Sequence, residues 1–175
     1  PRAPEGAARV AWLQEATAAL VDALAVAGDD DPAGTWRQGP ASAGFWRRRM
    51  AHETSVHGWD AQAAVGRPEP VDAALAADGI AEALELLLPL SASQPPTGNP
   101  LGTLHLHCTD TPGEWLVAMP DGRLEVTSGH AKADAALRGE ASELFLTCWG
   151  RRSGTGPEVL GDHAVAERWL ALMGW

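Results

Sequence analysis

Leu104-His105-Leu106-His107-Cys108 is the point at which the chain changes its period. Three apolar side chains alternate with two histidines, the period of two that marks a strand with one buried face. Upstream, apolar residues recur at spacings of three and four. Ala8, Trp12, Leu13, Leu20, Leu24 and Ala27 predict a helix over 5–28, with Gly28 as its stop. Asp29 to Gly34 is a loop on turn chemistry. A second helix is expected from Ser42, its candidate N-cap, to about Gly66, where Arg67-Pro68-Glu69-Pro70 breaks the chain. A third, over 71–88, carries Leu75, Ile80, Leu84, Leu87 and Leu88 and is bounded by Pro89. Residues 91–100 have linker composition. Downstream of the first strand, 114–119 and 123–127 read as two more, joined by the turn Pro120-Asp121-Gly122, and helices follow at 141–149 and 162–173. Helices, then strands, then helices define an α+β class: part of a helical bundle over 1–90, then a small antiparallel α+β unit over 100–175. A bundle needs roughly three or four helices. Here two long ones precede the third, and the first residue is Pro1, so the first helices of the bundle are expected to lie ahead of this chain.

Composition narrows the function classes. Of the 175 residues, 45% are hydrophobic and 21% charged, the balance of a folded globular chain. A net charge of −10 and a pI near 4.9 set the surface against phosphate backbones and anionic lipid, so neither nucleic acid nor a membrane is an expected partner. No apolar run has the length of a membrane span and no signal-peptide pattern opens the sequence, so a cytoplasmic location is expected. Cys108 and Cys148 stand far apart in no ligand-like spacing and read as buried free thiols; a catalytic thiol would need a basic neighbour that neither segment supplies.

Chemistry concentrates in the second helix. At 100° per residue, Trp46, Met50, Glu53, His57, Asp60 and Ala64 fall on one side, so two apolar anchors share a stripe with two carboxylates and an imidazole. A buried carboxylate requires a cation to offset its desolvation, and a divalent metal is one such cation. Glu53 and His57, four apart, are neighbours able to share one ion, with Asp60 a turn further on to orient His57 or to bind directly. His52 and His57 are five apart, about 140° around the helix, so the text is not the zincin signature. The pattern alone leaves a second reading open, in which Glu53 pairs with an arginine and His57 is a satisfied core histidine.

The stretch Arg48-Arg49-Met50-Ala51-His52-Glu53-Thr54-Ser55-Val56-His57-Gly58-Trp59-Asp60-Ala61 resembles the metal helix of the mycothiol-dependent maleylpyruvate isomerase family. Ala76 to Ile80 with Glu82, Leu104 to Asp110, Gly113-Glu114-Trp115, His130 to Gly139 and Leu144 to Arg151 extend the likeness over nearly everything from about residue 40. The resemblance implies a DinB-like four-helix bundle followed by a sterol-carrier-like α+β domain. It further implies a zinc site of two histidines and a glutamate, two of which map to Glu53 and His57. The other histidine has no counterpart among the six here, as a chain lacking the first helices would require. Two chains pairing their helices as a homodimer would rebuild a bundle, not the missing ligand. The activity implied is thiol-assisted cis–trans isomerisation or thiol transfer, with mycothiol as the thiol cosubstrate, zinc as the cofactor and a small carboxylate as the substrate. Arg138 is the candidate to bind that carboxylate, with Arg151 and Arg152 as rivals; His130 and Lys132 read as surface loop groups. A non-catalytic zinc- or small-ligand-binding protein of the same fold is the alternative.

Overall fold

The computed structural model describes residues 3–35, 41–92, 101–151 and 154–173. The expected linker falls mostly at 93–100, and Arg152 also lies outside the described residues. The chain divides into two compact units, Pro1–Glu53 and Thr54–Trp175, and the division falls within one helix.

The first unit is built on α1 (Ala8–Val26), a two-strand ribbon of β1 (Pro32–Ala33) and β2 (Ala41–Ser42), and the start of α2 (Ala43–Ala64). None of the residues of α1 is buried, and Val10, Leu13 and Val21 are more than half exposed. At its C-terminus, Arg47 donates to the carbonyls of Leu24 and Ala27 and pairs with Asp29. These carbonyls have no acceptor duty within the helix, and a cation there also complements the helix dipole. Ser42 caps α2, its hydroxyl accepting from the Phe45 amide at 3.3 Å. The most buried positions of α2 are Arg49, His52 and Val56, not the stripe of Glu53 and His57.

The second unit is α+β. Asp72 caps α3 (Ala73–Glu82) by accepting from the amides of Ala74 and Leu75. The helix does not stop at Pro89 as the sequence suggests. It widens into a π turn over Ala83–Leu87 and continues as α4 (Leu88–Ala92), the Leu88 amide reaching the Ala83 carbonyl. A proline lacks an amide hydrogen and clashes with the carbonyl one turn back, and the wider turn ahead of it relieves both.

A five-stranded sheet follows, in the order β5-β4-β3-β6-β7: β3 (Leu104–Cys108), β4 (Glu114–Ala118), β5 (Glu125–Ser128), β6 (Ala135–Gly139) and β7 (Glu158–Gly161). The expectation of an antiparallel sheet is corrected here. The sheet is mixed, because β3 and β6 pair parallel at its centre while the other pairs are antiparallel. The β3–β4–β5 meander runs out to one side of β3, and the chain returns to the other side. Strands β6 and β7 carry little local strand signal, because Ala135-Ala136-Leu137-Arg138-Gly139 lacks the β-branched residues that mark strands and β7 is a short edge strand.

One face of the sheet carries Leu104, Leu106, Val117 and Leu137, all fully buried against Ile80 of α3, Phe145 of α5 (Ala141–Cys148) and Trp169 of α6 (His163–Met173). Helices α3 and α5 approach so closely at Gly79 that a Cβ there would fall 2.4 Å from the Phe145 ring. Asp110, in the turn after β3, accepts from the first amide of α5 at 2.8 Å and so fixes that helix to the sheet. No helix among the described residues is long and apolar enough to cross a membrane.

Candidate functional site

Two groups of polar side chains stand out, one on α2 and one on the sheet. On α2, Glu53 accepts from Arg49 at 2.6 Å, the i, i+4 pairing that the helix allows. His57 is 65% exposed, and its Nδ1 lies 3.1 Å from Asp60 Oδ2. Asp60 is held from across the fold. Arg151 donates to it through Nε at 3.1 Å and Nη2 at 2.9 Å, a two-pronged fork, while its Nη1 donates to the Trp149 carbonyl at 2.6 Å. The Arg151 guanidinium foremost, with the His57 hydrogen bond, keeps the Asp60 carboxyl below the ordinary 3.8 against the opposing effect of burial. The structure therefore spends Arg151, a rival for substrate carboxylate, on orienting Asp60.

Arg138 lies on β6, about half exposed, with Nη1 3.5 Å from Glu158 Oε2 on the neighbouring strand. In the sheet register, Arg138 stands beside His107, and His107 stands beside Glu114. Directly paired residues point to the same side of a sheet, so one row crosses four strands on the face away from the apolar core: Glu114, His107, Arg138, Glu158.

His105, two residues before His107, joins this face, and His130 reaches it from the turn after β5. The three imidazoles surround one carboxylate. His105 Nε2 and His107 Nδ1 each lie 3.2 Å from Glu114 oxygens, and His130 Nδ1 lies 2.9 Å away. The His105 approach is poorly aligned, so its buried Nε2 has at most a weak hydrogen bond to Glu114. The ring of His130 meets that of His105 edge-on at 5.2 Å. Burial pushes the His105 pKa below 6.5, opposed in part by the Glu114 charge. The hydrogen bonds from His130, first, and His107 hold the Glu114 carboxyl below 4.5. The signal for this group was present in the sequence: His-x-His on a strand puts both rings on one side, and a short hairpin brings back Glu114. Only His130, in the turn after β5 and far along the chain from the His-x-His strand, lacked such a cue.

Both thiols are free and buried. Burial, followed by the Asp110 and Glu114 charges, pushes Cys108 up to about 11, and burial pushes Cys148 to about 12. Burial of this kind disfavours the thiolate that a nucleophile requires.

Compared with known proteins, residues 1–62 match the family model described as the mycothiol maleylpyruvate isomerase N-terminal domain. Residues 74–168 match the MDMPI C-terminal domain. No curated protein matches the chain.

Proposed function

The chain belongs to the mycothiol maleylpyruvate isomerase family, and on that premise we propose that it is a mycothiol-dependent metalloenzyme performing thiol-assisted cis–trans isomerisation or thiol transfer. The observation that carries this reading is the chain of contacts from His57 to Asp60 to Arg151. A histidine that ligates a metal characteristically gives its other ring nitrogen to a carboxylate, which fixes the tautomer and the ring. With Nδ1 turned to Asp60, Nε2 is the atom that would take the ion. Glu53, one turn earlier on the same helix, supplies the second ligand. The donor types, one imidazole and one carboxylate, suit zinc, though they are two of the three protein ligands that a catalytic site takes. When bound, such an ion lowers the pKa of a coordinated thiol so that thiolate exists at neutral pH.

The rest is done by the chain's own groups. Asp60 orients His57, and Arg151 keeps Asp60 ionised and in place. Arg138 offers a planar guanidinium to a substrate carboxylate. The mycothiol thiolate adds to the double bond of a maleyl-type substrate, the resulting single bond rotates, and expulsion of the same thiolate gives the trans isomer with no net consumption of thiol.

The test compares conversion of a maleyl substrate to its trans isomer with and without mycothiol, in the parent, Asp60→Asn and His57→Ala proteins. Thiol-dependent conversion that falls about 10–100-fold in Asp60→Asn, with metal affinity falling alongside, is the expected result. Conversion or metal content indifferent to both substitutions would remove α2 from the reaction.

A further inference from the structure

We propose that His105, His107, Glu114 and His130 form a second binding site for a divalent transition-metal ion, on the face of the sheet opposite its apolar core. The site uses none of the residues assigned to α2 and stands whether or not that reading does.

Four ligand atoms, one from each residue, lie within 4.8 Å of one another. Two ligands of a tetrahedral ion at about 2.0–2.2 Å sit roughly 3.3–3.6 Å apart. The three nitrogen-to-oxygen separations of 2.9–3.2 Å around Glu114 need to open only slightly to admit an ion. The scaffold is rigid where it matters. His105 and His107 are fixed by β3, which is paired on both sides, and Glu114 by the register of β3 with β4. A glycine, Gly129 at φ +116°, turns the chain after β5, and its amide donates to the Glu114 carbonyl at 2.9 Å, which brings His130 over the row.

A purely hydrogen-bonded knot explains the group less well. A carboxylate can accept from three imidazole N–H groups, yet His105, with its side chain only 6% exposed, brings Nε2 within 3.2 Å of Glu114 in poor alignment for that bond. A buried ring nitrogen held in a poorly aligned hydrogen bond is costly. A cation at the centre reverses the requirement, because each ring then presents a lone pair and the alignment needed is toward the ion, not toward the carboxylate oxygen. Three imidazoles and one carboxylate select borderline ions such as zinc, cobalt, nickel or iron over magnesium and calcium.

The experiment titrates metal-stripped protein with Zn²⁺ by calorimetry and with Co²⁺ by its visible absorption, in a Glu53→Ala, His57→Ala background that leaves only the sheet group. One equivalent of Zn²⁺ and a Co²⁺ spectrum of four-coordinate type are expected. Both should be lost in His105→Gln, His107→Gln. His130→Gln, at a side chain 80% exposed and therefore safe for folding, should weaken binding at least about tenfold. No ion bound in the background protein, or affinity unchanged in His130→Gln and in the double histidine variant, would overturn the proposal. Failure of isomerase activity in any of these proteins bears on α2 alone.

Discussion

Helix α2 and the β3–β4 hairpin both present histidine and glutamate at regular spacing, and the fold treats them in opposite ways. On α2 each carboxylate has its own arginine: Glu53 has Arg49, and Asp60 has Arg151. On the hairpin, three imidazoles converge on Glu114, and the nearest guanidinium along the row, Arg138, pairs with Glu158. A helix spreads polar side chains up a stripe, one per turn, so each finds a separate partner. A sheet sets them side by side across strands, so several meet at one point. Periodicity within one element therefore announces a stripe, while a cluster needs pairing between elements.

The comparison breaks most violently from beneath. Leu106→Ala empties the core face between His105 and His107 and is expected to cost about 2–5 kcal/mol, read as a lower urea midpoint. If the sheet group depends on β3, its metal binding should fall with the midpoint, while the Asp60–His57 contact, followed by histidine NMR, should persist in the folded fraction.

Arg151→Met removes the fork from Asp60. Because Asp60 is about a third open to solvent, the expected loss is about 1–2 kcal/mol and not the larger cost of a buried pair. Thermal unfolding measures it. A change near zero would mean that water replaces the guanidinium and that Asp60 is not held from across the fold.

A third prediction concerns the parallel pairing that makes the sheet row possible. Asp134 accepts from the Thr103 amide and hydroxyl at 2.8 Å each, tying the entry of β6 to that of β3. The amide bond first, then the hydroxyl, keeps its carboxyl below 3.8. A depressed folded-state pKa contributes stability above the unfolded value, and that contribution is lost as pH falls through the folded one. The difference in urea midpoint between parent and Asp134→Asn should accordingly be present at about pH 5 and shrink as pH drops below 3.8. A difference independent of pH would assign the effect to shape instead of charge.

The smallest effect on stability is expected at Arg138→Met, within about 0.5 kcal/mol, because its pair with Glu158 is long and on the surface. The same variant should raise KM for a carboxylate substrate with little change in unfolding. An unchanged KM would return Arg138 to the role of a surface ion pair.

Much of this molecule is legible without its fold. The period change at Leu104 separates helical from strand-bearing sequence, Ser42 and Gly28 mark real ends, and the hairpin turn falls where Pro120-Asp121-Gly122 predicts it. The contact of His57 with Asp60 is likewise a local matter of three residues on one helix. The partner of Asp60 is not: Arg151 lies 91 residues away. Nor is the burial of α2 on Arg49, His52 and Val56, since amphipathic counting treats Trp46 and Met50 as anchors equal to any other.

The sequence by itself therefore determined the long helices, the β3–β4–β5 strands, the family likeness and many of the residues able to carry chemistry, because propensity, capping and turn geometry act over a few residues. Tertiary structure alone decided that the central strands run parallel, that Arg151 serves Asp60, and that His105, His107, Glu114 and His130 meet at one carboxylate. Each of these depends on strand register and long-range packing, where the free energy comes from burying Leu104, Leu106 and Leu137 together and the polar face follows as the other side of the same pleat.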